Sequence, residues 1–181
     1  MFYTVKDVIR HGKANTYIAH GNDEAADCVL GFSFGYIDGE SGPLPGKSNE
    51  QLARFIERRF PTTPLILQFE IVDALKIRTP DMIIRESRNK GEYLNSYEIA
   101  LQALDFMKQK GWNKIAVVTH PAMEARNDAM CAKLGMTTIA PTGLEAIEYD
   151  PDSAQSWTRN PKSWWQREEK IIEIGAQNNW I

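Results

Sequence analysis

The chain has 181 residues, 43% hydrophobic and 25% charged, with 21 basic against 24 acidic side chains and a formal charge of -3. That length predicts one domain whose core buries roughly 70% of the unfolded chain's surface, and the balance excludes a long disordered or collagen-like region. Basic residues interspersed with acids exclude an extended nucleic-acid surface, which needs clustered Lys and Arg.

The start, from Met1 to Tyr17, lacks a secretory apolar stretch, and no apolar run reaches the roughly 18 to 20 residues that span a bilayer. A soluble, unprocessed, cytoplasmic protein with no membrane span is expected. The first clear element is Ala26-Asp27-Cys28-Val29-Leu30, halted by Gly31 and followed by Phe32-Ser33-Phe34-Gly35. It reads as a buried strand entering a glycine-containing loop. That loop runs on through Gly39, Gly42, Pro43, Pro45 and Gly46; at about fifteen residues it is longer than most connections, a length associated with functional or mobile segments.

Ser48 with Gln51 has the spacing of a capping box, and Leu52, Phe55, Ile56 and Phe60 follow at helical intervals, which predicts a helix from about 49 to 59. Pro64 to Phe69 and Asp81 to Arg85 read as strands that break into polar residues, Glu86-Ser87-Arg88-Asn89 after the latter. Asn95 and Glu98 form another cap pair ahead of Ala100, Ala103, Leu104 and Met107, and Gly111 closes that helix. Lys114 to Thr119 is a further strand. His120-Pro121 opens a helix with Met123, Asn127, Met130 and Leu134 on one face, ending at Gly135. Met136 to Ala140 is a weaker strand.

Residues 142 to 162 show little periodicity and read as loop, and 162 to 177 as a closing helix. Four of the five tryptophans, Trp157, Trp164, Trp165 and Trp180, fall in this tail. They serve either to dock the tail on the domain or, in the sharper alternative, as a ligand lid or a homodimer surface. The element order predicts an α/β fold with a mostly parallel sheet of about five strands.

Cys28 and Cys131 have no CxxC spacing, and His11, His20 and His120 are scattered without an HExxH, so no protein-built metal centre is indicated. Gly31 to Gly35 is neither GxGxxG nor a phosphate-binding Walker loop, so no cofactor can be named. In an open parallel sheet, ligands bind outside the carboxyl ends of the strands. That rule collects Ser33, Gln68, Glu70, Glu86, Arg88, Thr119 and His120, with Asn95 and Arg126 at or near helix starts. Arg126 is expected to point beside Gly31, Ser33 and Thr119 and bind an anion while contributing little to stability. His120 suits a helix cap or a general acid or base, and Glu86 and Arg88 are expected in the same crevice.

The segments Asp27-Cys28-Val29-Leu30-Gly31, Asn95-Ser96-Tyr97-Glu98-Ile99-Ala100 and Val118-Thr119-His120-Pro121-Ala122-Met123-Glu124-Ala125-Arg126 resemble, in order and spacing, the YdcF/SanA-like family over residues 26 to 141. Gly31, Asn95, Glu98, Thr119 and Arg126 match the family pattern. Ser96, Ile99, His120 and Met123 depart from it, and Leu67-Gln68-Phe69-Glu70 stands where the family has a serine and two glycines. The resemblance implies a three-layer, Rossmann-like α/β/α domain that binds a small anionic or nucleotide-like ligand, in a bacterial family linked to envelope metabolism. Two functions follow as expectations: a small enzyme, a hydrolase or transferase with His120 or Glu86 handling protons and Gly31, Ser33, Asn95, Glu98, Thr119 and Arg126 around the ligand, or a non-catalytic ligand-binding or interaction protein.

Overall fold

The computed structural model describes residues 3–181. In chain order the elements are α1 (Val5–Ala14), β1 (Cys28–Gly31), β2 (Ile37–Gly39), β3 (Gly42–Leu44), α2 (Gly46–Arg59), β4 (Leu65–Gln68) and α3 (Phe69–Val72). There follow β5 (Met82–Ile84), α4 (Ser96–Lys110), β6 (Lys114–Val118), α5 (Pro121–Lys133), β7 (Thr137–Ile139) and α6 (Pro161–Gln177).

Alternation along three short apolar runs decides the layers. Successive strand residues face opposite sides of a sheet. Cys28, Leu30, Ile66, Ile115 and Val117 therefore pack with α4 and α5 on one face, whereas Val29, Leu65, Leu67, Ala116 and Val118 pack with α2 and α3 on the other. Because both faces are covered, these runs are apolar throughout rather than alternating with polar residues. The strands form a five-stranded parallel sheet in the order β5-β4-β1-β6-β7. The edge strands β5 and β7 carry exposed and half-buried positions, whereas the interior strands are buried throughout except at Lys114, where β6 begins. The result is a three-layer, Rossmann-like α/β/α domain.

Two predicted helix starts are realised as expected. Asn95 accepts from the Glu98 amide at 2.9 Å to cap α4, and His120 caps α5 with Pro121 at the first helical position. The start of α2 differs. Its N-terminal residue is Gly46, not Asn49, and Ser48 makes no cap: its hydroxyl donates to the Glu148 carbonyl at 2.7 Å. The Lys47 amide is satisfied instead by Asp150 Oδ2 at 2.7 Å, from far along the chain. Gly46 has φ +70, and a Cβ there would lie 2.6 Å from that carboxylate, so the long-range cap needs a glycine.

Three elements lie outside the sequence expectations. Helix α1 carries a capping box in which Thr4 and Asp7 bond reciprocally, with Asp in the position where Glu or Gln is the usual signal. The long loop after β1 contains the β2–β3 hairpin. Phe69 and Glu70 leave the strand to open α3. Helices α1 and α6 both pack on α5, so every residue from Pro121 to Ala132 is buried. Among the described residues no helix is long and apolar enough to cross a membrane.

Candidate ligand pocket

A cavity of about 280 Å³ opens at the carboxyl ends of β1, β4 and β5, on the face of the sheet that carries α4 and α5. Ser33 to Tyr36 after β1 and Gln68 to Glu70 after β4 form one side. The start of α4, with Asn95, Ser96 and Tyr97, and the α5 residues Met123, Arg126 and Met130 form another. Trp157, Trp164, Arg167 and the terminal Trp180 and Ile181 close it from the tail.

The loop after β1 is held open to the cavity by side chains behind it. Asn49 on α2 accepts from the Phe34 amide at 2.8 Å and donates to the Gly35 carbonyl at 2.8 Å, satisfying both backbone groups at a buried turn. Gln68 Oε1 accepts from the Ser33 amide at 3.0 Å. Gly35 has φ +73 and presses on the 153–158 segment, where a Cβ would meet Thr158 Oγ1 at 2.5 Å and Ser153 Oγ at 2.6 Å. The Ala154 amide then donates to the Tyr36 carbonyl at 2.7 Å. The unpatterned segment 142–162 is thus stitched to the cavity rim by hydrogen bonds, while Leu144 and Ile147 anchor its first part in the core.

Arg126 projects from α5 to the cavity wall. Its Nε donates to Glu168 Oε1 of α6 at 2.6 Å, with the two side chains 7% and 1% exposed, and its Nη nitrogens make no hydrogen bond among the described residues. Arg85 and Arg167 add two further guanidinium groups, the first 5.4 Å from the Phe69 ring centre and the second 4.6 Å from that of Trp157. Tyr97 and Trp180 stack at 4.8 Å with 12° between planes. Cationic planes and aromatic faces therefore share one concavity.

Of the sequence candidates, Ser33, Gln68, Glu70, Asn95 and Arg126 line this cavity; Gly31, Glu98, Thr119, His120, Glu86 and Arg88 do not. Gly31 faces the opposite side of the sheet, where a Cβ would strike Leu67 at 2.6 Å, so its role is to admit β4 and α3. Thr119 is fully buried beneath the first turn of α5. Glu98 binds Arg88 Nε at 2.8 Å and Gln102 at 2.9 Å, and these contacts hold its carboxyl down at about 2. It pins the 86–89 segment to α4.

The two expected proton carriers are both displaced. Glu86 follows the edge strand β5, is exposed, and lies outside the cavity, as does Arg88, which bridges Glu98 and Asp105. His120 is fully buried, stacked on Phe34 at 3.9 Å, and its Nδ1 accepts from the Ala122 amide at 3.2 Å. Burial lowers its pKa to about 3, so the ring is a neutral cap sealed behind the cavity floor. Arg126 departs from its expected setting as well. It reaches the cavity, but as half of a buried ion pair rather than as a solvated side chain, because α6 covers α5.

Sequence reasoning passed over Arg85 and Arg167 as cavity groups and Glu168 as the buried partner of Arg126, and it collected Glu70 without giving it a role. Glu168 carries no local signal, since it sits in a helix of mixed charge. Glu70 did carry one, an acid directly after a buried strand. Among the described residues no cluster of three or more His, Cys, Asp or Glu side chains is placed to hold a metal ion. The tail tryptophans turn inward: Trp164 is buried against Phe34 at 4.9 Å, so docking and cavity lining are one arrangement. Comparison with protein-family models, with curated proteins and with solved structures gives no match to this chain.

Proposed function

We propose that this cavity binds a small phosphorylated or nucleotide-like anion, and that the chain is a divergent relative of the YdcF/SanA-like proteins. The observation that carries the reading is Arg126, a cavity-lining residue whose Nε is held by Glu168 while its Nη nitrogens have no hydrogen-bond partner among the described residues. A guanidinium fixed in this way keeps its planar donors for a two-pronged contact with phosphate or carboxylate. The partial positive charge at the start of α4, where Asn95 and Ser96 line the wall, adds to the attraction. The aromatic faces of Trp157, Tyr97 and Trp180 suit a flat ring, since base–aromatic stacking contributes about 1–3 kcal/mol per base. The free, buried Cys28 and Cys131 fit a reducing compartment and a cytoplasmic location.

Binding is favoured over turnover by His120 or Glu86, because one is sealed and neutral and the other lies outside the cavity. The enzymatic reading, a hydrolase or transferase, would place proton transfer on Glu70 instead. Calorimetric titration with adenosine and uridine 5′-monophosphates and inorganic phosphate tests the proposal. A nucleotide at 100 times its Kd should stabilise the fold by about 2.7 kcal/mol, and Arg126→Lys, which keeps the charge but loses the fork, should bind about tenfold more weakly. Unchanged affinity in a folded Arg126→Lys protein would assign the anion elsewhere.

A further inference from the structure

The wall facing Arg126 carries an acid that anion binding alone leaves unused. Glu70 is 9% exposed and lines the cavity, and its Oε2, closed to solvent in the ligand-free protein, has no hydrogen-bond partner among the described residues, so a ligand hydroxyl reaches the carboxylate through the part of the side chain that lines the cavity. The nearby cation does not neutralise it by pairing: Arg85 reaches towards Asp73 at 3.8 Å and lies over the Phe69 ring. Burial pushes the Glu70 carboxyl up from its ordinary value, offset in part by its own amide and the Ser33 hydroxyl beside it.

The sheet order places these groups in a row. β1 lies between β4 and β6, so along the carboxyl edge Glu70 follows β4, Ser33 follows β1, and Arg126 stands on the helix after β6. Neighbouring strands are about 4.8 Å apart, which separates the outer two by roughly 10 Å at their bases. A ligand lying across this edge with its anion on Arg126 presents groups several bonds away to Ser33 and Glu70. A carboxylate is an acceptor and needs donors there. With Arg85, Arg126 and Arg167 around the same cavity, a cationic donor is repelled, and a neutral hydroxyl is not.

Resting on the anion-pocket reading above, we infer that Glu70, with Ser33, receives the hydroxyl groups of the ligand and makes the pocket selective for polyhydroxy phosphates, such as a ribose phosphate or ribonucleotide, over phosphates lacking those hydroxyls. Glu70 is then a specificity-determining residue, and Arg126 sets affinity for the anion without setting that preference.

The test compares adenosine 5′-monophosphate with its 2′,3′-dideoxy analogue by calorimetry on wild type, Glu70→Gln, Glu70→Ala and Arg126→Lys, each checked for an unchanged cooperative melt. Wild type should prefer the ribonucleotide at least tenfold. Glu70→Ala should bind both nucleotides equally, at the wild-type affinity for the dideoxy analogue, and the isosteric Glu70→Gln should retain only part of the preference. Arg126→Lys should weaken both nucleotides by the same factor and keep the preference. A preference that survives in Glu70→Ala, or that is missing in a wild-type protein that still binds both nucleotides, overturns the hydroxyl role alone. Failure of both nucleotides and of ribose 5-phosphate to bind wild type overturns the anion-pocket reading beneath it, and this inference with it.

Discussion

Helix α5 buries charge in two ways on two of its faces. Towards the cavity, Arg126 is matched by Glu168 from α6 at 2.6 Å. Elsewhere on the same helix Glu124, Asn127 and Asp128 are fully buried, and among the described residues Glu124 Oε1 and Oε2, both Asn127 side-chain polar atoms and Asp128 Oδ2 have no partner. Only Asp128 Oδ1 is met, by His20 Nε2 at 3.1 Å. The difference follows from what each group can give up. A guanidinium cannot shed its proton, so it stays charged and needs a counter-ion. A carboxyl can take one up, and burial followed by the nearby Asp128 charge pushes Glu124 well above its ordinary value.

The largest expected effect tests the paired face. Arg126→Ala or Glu168→Ala leaves a buried charge uncompensated and should cost about 3–5 kcal/mol in chemical denaturation. The double variant Arg126→Met with Glu168→Leu should recover most of that loss, because it removes both charges and keeps the volume. A loss below about 1 kcal/mol in the single variants is what an exposed pair gives, and would break the comparison.

His120, at the start of the same helix, is neutral for the same reason as Glu124 but with the opposite sign. Its pKa falls from 6.5 to about 3 on folding, so the unfolded chain binds more protons between those values. Stability contributed by the neutral ring is complete above 6.5 and is lost as pH falls towards 3, by about 1.4 kcal/mol per unit at most and on the order of 5 kcal/mol in total. His120→Asn keeps a good capping side chain and should flatten the acid limb of the pH–stability curve. An unchanged limb would move the acid sensitivity to other groups.

A smaller effect probes the single partner on the acidic face. His20→Ala strips the donor from Asp128 Oδ1 and should cost about 1–3 kcal/mol, read from the denaturation midpoint. Smallest at acidic pH is Glu124→Gln. Glu124 has a raised pKa, so the folded state holds its proton and stability declines as pH rises above 4.5. The glutamine variant should be near neutral at pH 4 and more stable than wild type at pH 8. If it is instead destabilised at both, Glu124 is paired as an anion, and the two faces do not differ as described.

Most of the fold was legible before any coordinates. Runs such as Leu65–Gln68 and Lys114–Val118 had to be interior parallel strands, because continuous apolar residues bounded by turn residues have no solvated face. Asn95 and His120-Pro121 named their helix starts through local chemistry that acts within a few residues. The candidate site was legible only as a location: Ser33, Asn95 and Arg126 reach the cavity because each follows or nears the carboxyl end of a strand, while Gly31, at the same end, points to the other face by the strand's period of two.

What the sequence determined by itself is the set of interactions that close over short distances: strand and helix periods, caps, and the sheet's carboxyl edge as the polar end. The tertiary structure alone decided the pairings between distant segments, Arg126 with Glu168, Gly46 and Lys47 with Asp150, and Gly35 with Ser153 and Thr158. It also decided which expected polar residues are sealed and which meet the cavity. The physical reason is that a side chain's charge state and exposure depend on what packs over it. For α5 that cover comes from α1 and α6 at opposite ends of the chain, which no local pattern around Arg126 or His120 encodes.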